Sequence, residues 1–449
     1  MTQTAELAQF VHGAALADFP DGTSEFARLA ILDTVGVGLA GSREQAGRCV
    51  IAAIKRYGGH PEATVWGGTA APTIHAALAN GTSAHVLDFD DMHTGTGGHP
   101  SAVLVPAVLA VAERYGSSGC DVIEAFAVGF EVAFRIGRRM GLEPLARGFH
   151  PTSVWGPPAA AAAAARLSRL SAGEVAMALG VAASYSSGLR ANFGTMTKGH
   201  HAGISAMHGV MAAELAAGGL AASDRVLDEP GLFEVFGAVG DPVVDGLGKQ
   251  FFPLEGYAIK IYPACGKTHS GIDSALAIRS ARGRPIEVDE VEEVQIETTP
   301  QVHEVLHYDR PRTPLEAKFS LPFTVAVALL DGAAGLEQFT DDRVGDPELQ
   351  ALVERVRVIE HDRGWTSYLD PERVTVVFRD GDVQSHQVDR EAGDLGRSVT
   401  TADVTHKFAQ CAALALRPDA VERYLEMWGR LGSLDDVRTL AAILRDGAL

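Results

Sequence analysis

Residues 85–102, HVLDFDDMHTGTGGHPSA, gather three aspartates and three histidines within eighteen positions. Carboxylates and imidazoles at this density suit either metal ligation or proton transfer. The spacing fits neither an EF-hand loop, which needs Gly at its sixth position and Glu at its twelfth, nor HExxH. Magnesium sites built from oxygen ligands obey looser rules, but a metal is not the expected occupant. His99 stands just before Pro100, a natural first residue of a helix. It would then face free N–H groups and the positive end of a helix dipole, which attract anions. Gly95, Gly97 and Gly98 make the intervening loop pliable enough to bring backbone close to a ligand. Asp90, Asp91 and His93 are expected to cap and solvate this loop, which leaves Asp88 and His99 as the residues of interest.

Three further stretches repeat the theme. RGFHPTSVWG (147–156) places His150 just before an alanine-rich helix. NFGTMTKGHHAG (192–203) carries Lys198, His200 and His201 in a Gly/Thr-rich loop that enters another small-residue helix. YAIKIYPACGKTHSGID (257–273) holds Lys260, Lys267 and His269 close to Pro263 and Cys265. Isolated basic groups at buried helix entrances fit a pocket for a small anion. They do so in a chain of net charge −19, which argues against nucleic acid or an anionic membrane surface as partner. Nucleophile chemistry has little support: there is no GxSxG, and Cys265 with His269 lacks an orienting third group. No GxGxxG follows a strand and no GxxxxGK[ST] occurs, so neither a dinucleotide fold nor a phosphate loop is expected.

The elements that must position these residues are mostly helices. From residue 3 to about 235 apolar residues recur at three- and four-residue spacing, as in SEFARLAILDTVGVGLAG and SAVLVPAVLAVAERYG, and the runs stop at Gly. SAGE (171–174) reads as a capping box. PPAAAAAAARLSRL (157–170) and GISAMHGVMAAELAAGGL (203–220) are small-residue helices suited to the centre of a bundle. After about 265 the texture changes. VDEVEEVQIETTP (288–300) alternates like a strand, and RVTVVFRDGDVQSHQVD (373–389) reads as a hairpin turning at Asp380–Gly381. TPLEAKFSLPFTVAVALLDG (313–332) and DPELQALVERVRVIEH (346–361) read as helices between them. The expected architecture is mainly α: a large helical domain of residues 1–264 plus 397–449, interrupted by a smaller α+β domain, 265–396. At 449 residues two domains are the natural expectation. No apolar run reaches the ~18 residues of a membrane span. The first residues lack a basic region, so a secretion signal is not expected and a cytoplasmic location is. The four scattered cysteines form neither a metal signature nor a disulfide framework.

Taken together, HVLDFDDMHTGTGGHPSA, GFHPTSVWGPPAAAA, MTKGHHAG, YPACGKTHSGIDSA and AKFSLPFTVAVALLDG resemble, in order, the motifs of the MmgE/PrpD family. That family includes 2-methylcitrate dehydratases, cis-aconitate decarboxylases and iminodisuccinate epimerases. The resemblance implies a helical domain, a small α+β lid domain, a homodimer, and a site in the cleft between domains that uses no metal or organic cofactor. It matches Asp88 to the first aspartate of the DFDD motif, His99 to the histidine of HPS and His150 to that of the GFH loop. Lys198 matches the lysine of the TK loop and Lys260 one shortly before the YP segment. Tyr308, in HYDRP, is matched to an active-site tyrosine; Lys267, His269 and His201 are candidate substrate contacts. Met92 stands where many members have Thr, and Ile204 where Arg is frequent, which weighs against a tricarboxylate such as methylcitrate.

The reaction type so implied is proton movement at a carbon next to a carboxylate, with loss of water or CO₂. Such a step builds charge that cations must meet, with an acid and a base placed around the carbon. His99 and His150 are the expected proton carriers, Lys198 and Lys260 the carboxylate anchors, and Asp88 the group that orients a histidine or keeps the lysines charged. A cofactor-independent lyase acting on a small di- or tricarboxylic acid is the leading expectation. An epimerase with two bases on opposite faces is the alternative, and a helical binding protein without activity is the second alternative.

Overall fold

In the computed structural model, which describes residues 1–228, 230–238, 240–247, 256–300, 302–361, 370–389 and 399–449, the three- and four-residue apolar spacing produces helices through most of the chain. Two units emerge: Met1–Asn192, Met196–Ile259 and Val399–Leu449 form the first, and Phe193–Thr195 with Lys260–Ser398 the second. The first begins with α1 (Gln3–Gly13), α2 (Thr23–Gly41), α3 (Gln45–Tyr57) and the small hairpin β1 (Ala63–Val65) and β2 (Thr69–Ala71). There follow α4 (Thr73–Val86), β3 (Met92–His93), α5 (Ser101–Tyr115), α6 (Gly119–Met140) and the short α7 (Glu143–Ala146). Next come α8 (Pro151–Leu167), α9 (Ala172–Ala183), α10 (Met196–Ala217), α11 (Leu232–Val235) and β4 (Tyr257–Ala258). The second unit holds α12 (His269–Arg282), β5 (Val291–Thr298), α13 (Pro314–Ala317), α14 (Leu321–Asp331) and α15 (Asp341–Val344). It continues with α16 (Pro347–Val353), β6 (Val356–Glu360), β7 (Arg373–Phe378) and β8 (Val383–Gln387). The chain then returns to the first unit as α17 (Thr401–Ala412), α18 (Pro418–Trp428) and α19 (Arg438–Asp446). The fold is mainly α with small sheets. Among the described residues no helix is long and apolar enough to cross a membrane.

The core of the first unit lies among α4, α5, α6, α8 and α10, where Val103, Phe126, Phe130, Trp155 and Val210 are fully buried. Small residues decide how closely the helices approach. A Cβ added at Gly81 of α4 would sit 2.7 Å from the Gly203 Cα of α10, and one at Gly199 would sit 2.8 Å from the Val86 Cα. The two backbones therefore touch where α4 ends and α10 begins. The helix of MTKGHHAG starts at Met196 and not near Gly203 as the sequence suggests, because Gly199 and Gly203 serve close packing inside a helix and not loop flexibility. Lys198, His200 and His201 are accordingly helical.

α8 also starts earlier than its alanine run, and Pro157 and Pro158 lie within it. A proline inside a helix leaves the carbonyl four residues back without its N–H partner. Here the Ser187 N–H donates to the Ser153 carbonyl (3.2 Å) and the Ser186 hydroxyl to the Val154 carbonyl (2.6 Å), so both are satisfied. The capping box at Ser171 and Glu174 is present as expected.

In the second unit the sheet order is β6-β5-β7-β8, with β5–β6 parallel and β7–β8 the expected hairpin. Val294, Ile296, Val374, Val376 and Phe378 alternate onto the buried face. Two helical expectations need correction here. DPELQALVERVRVIEH is helical only over Pro347–Val353; Val356–Glu360 is strand β6, since Val356, Val358 and Ile359 are β-branched and pair with β5. TPLEAKFSLPFTVAVALLDG breaks at Lys318–Ser320: Ser320 caps α14, whose second residue is Pro322.

Candidate active site

The carboxylate-rich stretch of the first unit is folded inward. α4 ends at Val86, and Asp88 turns the chain with φ at +52°. The next residue, Phe89, is pinned from beneath. The Lys407 ammonium of α17 lies 3.9 Å from its ring centroid and donates to its carbonyl (2.7 Å), while ion-pairing with Asp33 of α2 at 2.7 Å. Burial outweighs that partner and pushes the Asp33 carboxyl up to about 6. β3 then pairs antiparallel with β4, and the His93 N–H donates to the Gly98 carbonyl at 2.9 Å, closing the glycine loop. The His93 ring packs edge-on against Phe134 at 5.1 Å. Met92, half-buried, sits opposite Ala258 on this small ladder.

The three aspartates end in three different states. Asp88 accepts from the Lys198 ammonium at 2.8 Å, a contact made possible by the glycine-mediated approach of α10 to α4. Asp90 is fully buried, with its Oδ2 2.8 Å from His85 Nδ1 and 3.3 Å from His99 Nδ1. Burial alone would raise its carboxyl; His85 and His99, by charge and hydrogen bond, hold it well below the usual carboxylate range. Asp91, equally buried, takes the Ser101 N–H (3.1 Å) and hydroxyl at the start of α5. Burial nevertheless pushes it up to about 8, so it carries a proton near neutrality. The expectation that Asp90 and Asp91 are solvated loop residues is therefore overturned. Neighbouring helices α2, α5 and α17 exclude water from them, and their side chains are spent on His85, His99 and Ser101.

Four imidazoles meet around this segment. His99, ahead of α5, is held by Thr152 Oγ1 at its N–H (3.1 Å), and its Nδ1 lies 2.8 Å from the Asp91 carbonyl. A carbonyl only accepts, so Nδ1 carries the hydrogen and Nε2 is left as the exchanging nitrogen, 4.0 Å from Asp88 Oδ1. His85, in the last turn of α4, has its ring 4.4 Å from that of His99 and stacks at 5.6 Å on His150. His150 caps α8, and its Nδ1 is 3.2 Å from His201 Nδ1 on α10. Burial drives His85 and His201 down to about 4. Burial, the Lys198 ammonium and the neighbouring rings hold His150 well below the ordinary histidine range. All three are neutral at physiological pH. One nitrogen or oxygen each from His85, Asp88, Asp90 and His99 lie within 4.8 Å of one another, a spacing a metal ion could bridge. Lys198 already takes up Asp88, and the two imidazoles take up Asp90.

Of the residues singled out from sequence, the first unit thus brings together Asp88, His99, His150, Lys198 and His201. His85 and Asp90 join them although neither stood out from its neighbours; their five-residue spacing across a helix end is the signal that could have paired them. The other candidates belong to the second unit. Lys260 is buried beside the start of that unit. Lys267 is buried in an ion pair with Glu372 at 2.5 Å and donates to the Asp370 carbonyl at 3.1 Å. His269 opens α12 with its ring edge-on to Tyr262 at 5.2 Å. The Tyr308 hydroxyl donates to the Phe193 carbonyl at 3.2 Å.

Comparison with known proteins adds an independent finding. Residues 5–242 match the profile of the MmgE/PrpD N-terminal domain, and residues 262–430 that of the MmgE/PrpD C-terminal domain. Cis-aconitate decarboxylase of Mus musculus is 29% identical, with 98% of this chain and 93% of the relative aligned. The Homo sapiens enzyme of that name is 29% identical over 98% and 94%, and the Aspergillus terreus one 28% over 98% and 95%.

Proposed function

The chain belongs to the MmgE/PrpD family and is an enzyme of its lyase type, and from that premise we propose that it decarboxylates a small unsaturated tricarboxylic acid of the cis-aconitate kind without a cofactor. The observation that carries the reading is the set of four imidazoles beside the Asp88–Lys198 pair. His85, His150 and His201 are kept neutral by burial, while His99 is set against both Asp90 and Asp88. His99 has a carboxylate on each ring nitrogen and, unlike His85, is not fully buried, so it is the ring suited to pass a proton.

The chemistry follows from that arrangement. Loss of CO₂ from the saturated arm of the substrate leaves an electron pair that forms a new double bond to the central carbon. The original double bond shifts its pair to the carbon next to another carboxylate, which gains aci-carboxylate character. His99 delivers a proton from Nε2 to that carbon and regains one from solvent. The Lys198 ammonium, oriented by Asp88, meets the growing carboxylate charge in a site where burial strengthens the attraction. Lys260 serves as second anchor and Tyr308 as a hydroxyl proton carrier, both carried over from the family motifs; His269 is a further contact. Lys267 is left out, since Glu372 neutralises it. Met92 and His201 shape the pocket; Met92 and Ile204 weigh against a tricarboxylate, and the likeness to cis-aconitate decarboxylases over 98% of the chain outweighs them. The working unit is a cytoplasmic homodimer.

A second reading, dehydration or epimerisation, is favoured by one observation: the neutral His150, 6.1 Å ring to ring from His99, could act as base against the acid. Incubating purified enzyme with cis-aconitate, 2-methylcitrate and iminodisuccinate in D₂O separates these outcomes. Decarboxylation gives a product lighter by CO₂ and bearing one new deuterium, and it persists with a chelator present. Deuterium in recovered substrate without mass loss marks an epimerase. Failure to turn over any of the three overturns the reading.

A further inference from the structure

The structure assigns a positioning role to Asp90: one carboxylate oxygen holds the Nδ1–H of two imidazoles, His85 and His99, and so presents both Nε2 atoms to the site as a coupled pair. This rests on the reading of His99 as proton carrier and names what sets it. The geometry is specific. Asp90 Oδ2 is 2.8 Å from His85 Nδ1 and 3.3 Å from His99 Nδ1, and the two rings are 4.4 Å apart. An ionised carboxylate only accepts, so each Nδ1 must donate, and each ring in its neutral form keeps its lone pair on Nε2. For His99 the same tautomer is demanded independently by the Asp91 carbonyl at 2.8 Å. His85 Nε2 is buried and has no hydrogen-bond partner among the described residues, as is true of Asp90 Oδ1. A fully buried carboxylate with no cation of its own would be costly. The His85 N–H at 2.8 Å, with the His99 Nδ1–H shared between the Asp91 carbonyl (2.8 Å) and this oxygen (3.3 Å), is what compensates it.

The coupling has a chemical consequence. A proton taken by either ring is stabilised by the same anion, while 4.4 Å between rings opposes a second. The pair therefore accommodates no more than one extra proton, and burial of His85, stacked on His150 at 5.6 Å on its other side, leaves that proton to His99. The charged and titratable groups facing the pair are Asp88 and Asp91 on the same segment, His150 of α8, Lys198 and His201 of α10, Asp33 of α2 and Lys407 of α17.

The test compares Asp90→Asn with His99→Gln in the full chain, measuring kcat, KM and their pH dependence. Removing the anion lowers the affinity of His99 for its proton, so the alkaline limb of kcat moves to lower pH by about one unit or more. kcat itself falls by about 10²-fold or more with KM within threefold. Asp90→Glu restores part of the loss by returning the charge. An unmoved limb, with activity lost only in step with Tm, reduces Asp90 to a structural residue and overturns the proposal. If His99→Gln keeps full turnover, the proton-carrier reading itself fails. If His99→Gln is inactive while Asp90→Asn is unchanged, only the role of Asp90 falls. Should Asp90→Asn not fold, ¹⁵N-histidine NMR of the wild-type protein on the alkaline side, where both rings are neutral, decides: both must show the Nδ1–H tautomer, and a neutral Nε2–H tautomer on either overturns the assignment.

Discussion

At the scale of single residues, the difference between three neighbouring aspartates carries most of the chemistry. Asp88 faces an ammonium, Asp90 faces two imidazoles, and Asp91 faces the hydroxyls of Ser101 and Tyr257 and is pushed up to about 8. A like assignment separates the histidines: burial keeps His85, His150 and His201 neutral, and His99 is the ring set against both Asp90 and Asp88. His99→Gln is expected to lower kcat by about 10³-fold with little effect on Tm, since its ring is at the edge of the buried cluster and not in the helix core. Turnover within about threefold of the parent would remove it from the mechanism. Lys198→Ala should act differently, raising KM and lowering kcat together, because it removes the anchor and leaves Asp88 buried with less compensation. Unchanged kinetics would end the anchor role. Candidate residues were readable here because histidine, lysine and aspartate are rare inside proteins, and their clustering in Gly-rich stretches stands out. His85 and Asp90 were not separable from their neighbours, since nothing in a sequence says which of three aspartates meets a histidine.

At the scale of elements, close helix approach does the positioning. α10 delivers Lys198 to Asp88 only because Gly81, Gly199 and Gly203 let it lie backbone to backbone on α4. Replacing Gly81 by Ala would gain about 1 kcal/mol of helix propensity in open solvent. Its Cβ, however, would lie 2.7 Å from the Gly203 Cα, and such overpacking costs about 1–3 kcal/mol. The clash wins, so Gly81→Ala should lower Tm and, by displacing Lys198, lower kcat more than the stability loss explains. An unchanged Tm measured by calorimetry would show that α4 and α10 can separate freely. Helix existence was legible from periodicity almost everywhere. What was missed had local causes: glycines used for packing were read as loop, and β-branched Val356, Val358 and Ile359 were read as helix although a parallel partner strand was waiting.

At the scale of the whole molecule, opposing buried groups set the dependence of stability on pH. Asp91 has a folded value of about 8, above its unfolded one, so its contribution is complete below about pH 4 and is lost progressively as pH rises to about 8. Glu113, raised to about 7 by burial, acts in the same sense. His85 and His201, lowered to about 4, act oppositely: their contribution is complete above pH 6.5 and is lost as pH falls from 6.5 to 4. Between pH 6.5 and 8 the contribution of His85 and His201 is complete, so the loss from Asp91 and Glu113 should make Tm fall across that window. Asp91→Asn should flatten the fall, leaving the part due to Glu113. A variant whose Tm slope matches the wild type would show that Asp91 is already ionised.

The sequence by itself determined the helical texture, the small strand-bearing segment, the net negative charge, and the clustered histidine, lysine and aspartate residues. Those properties follow from side-chain periodicity, capping and composition, which act over a few residues. The tertiary structure alone decided which groups share a charge. Lys198 reaches Asp88 across 110 positions, His150 reaches His201 across 51, and Lys407 reaches Phe89 across 318. Desolvation and pairing depend on neighbours brought from that distance, so the protonation states of Asp90 and Asp91 became readable only once the surrounding helices had closed around them.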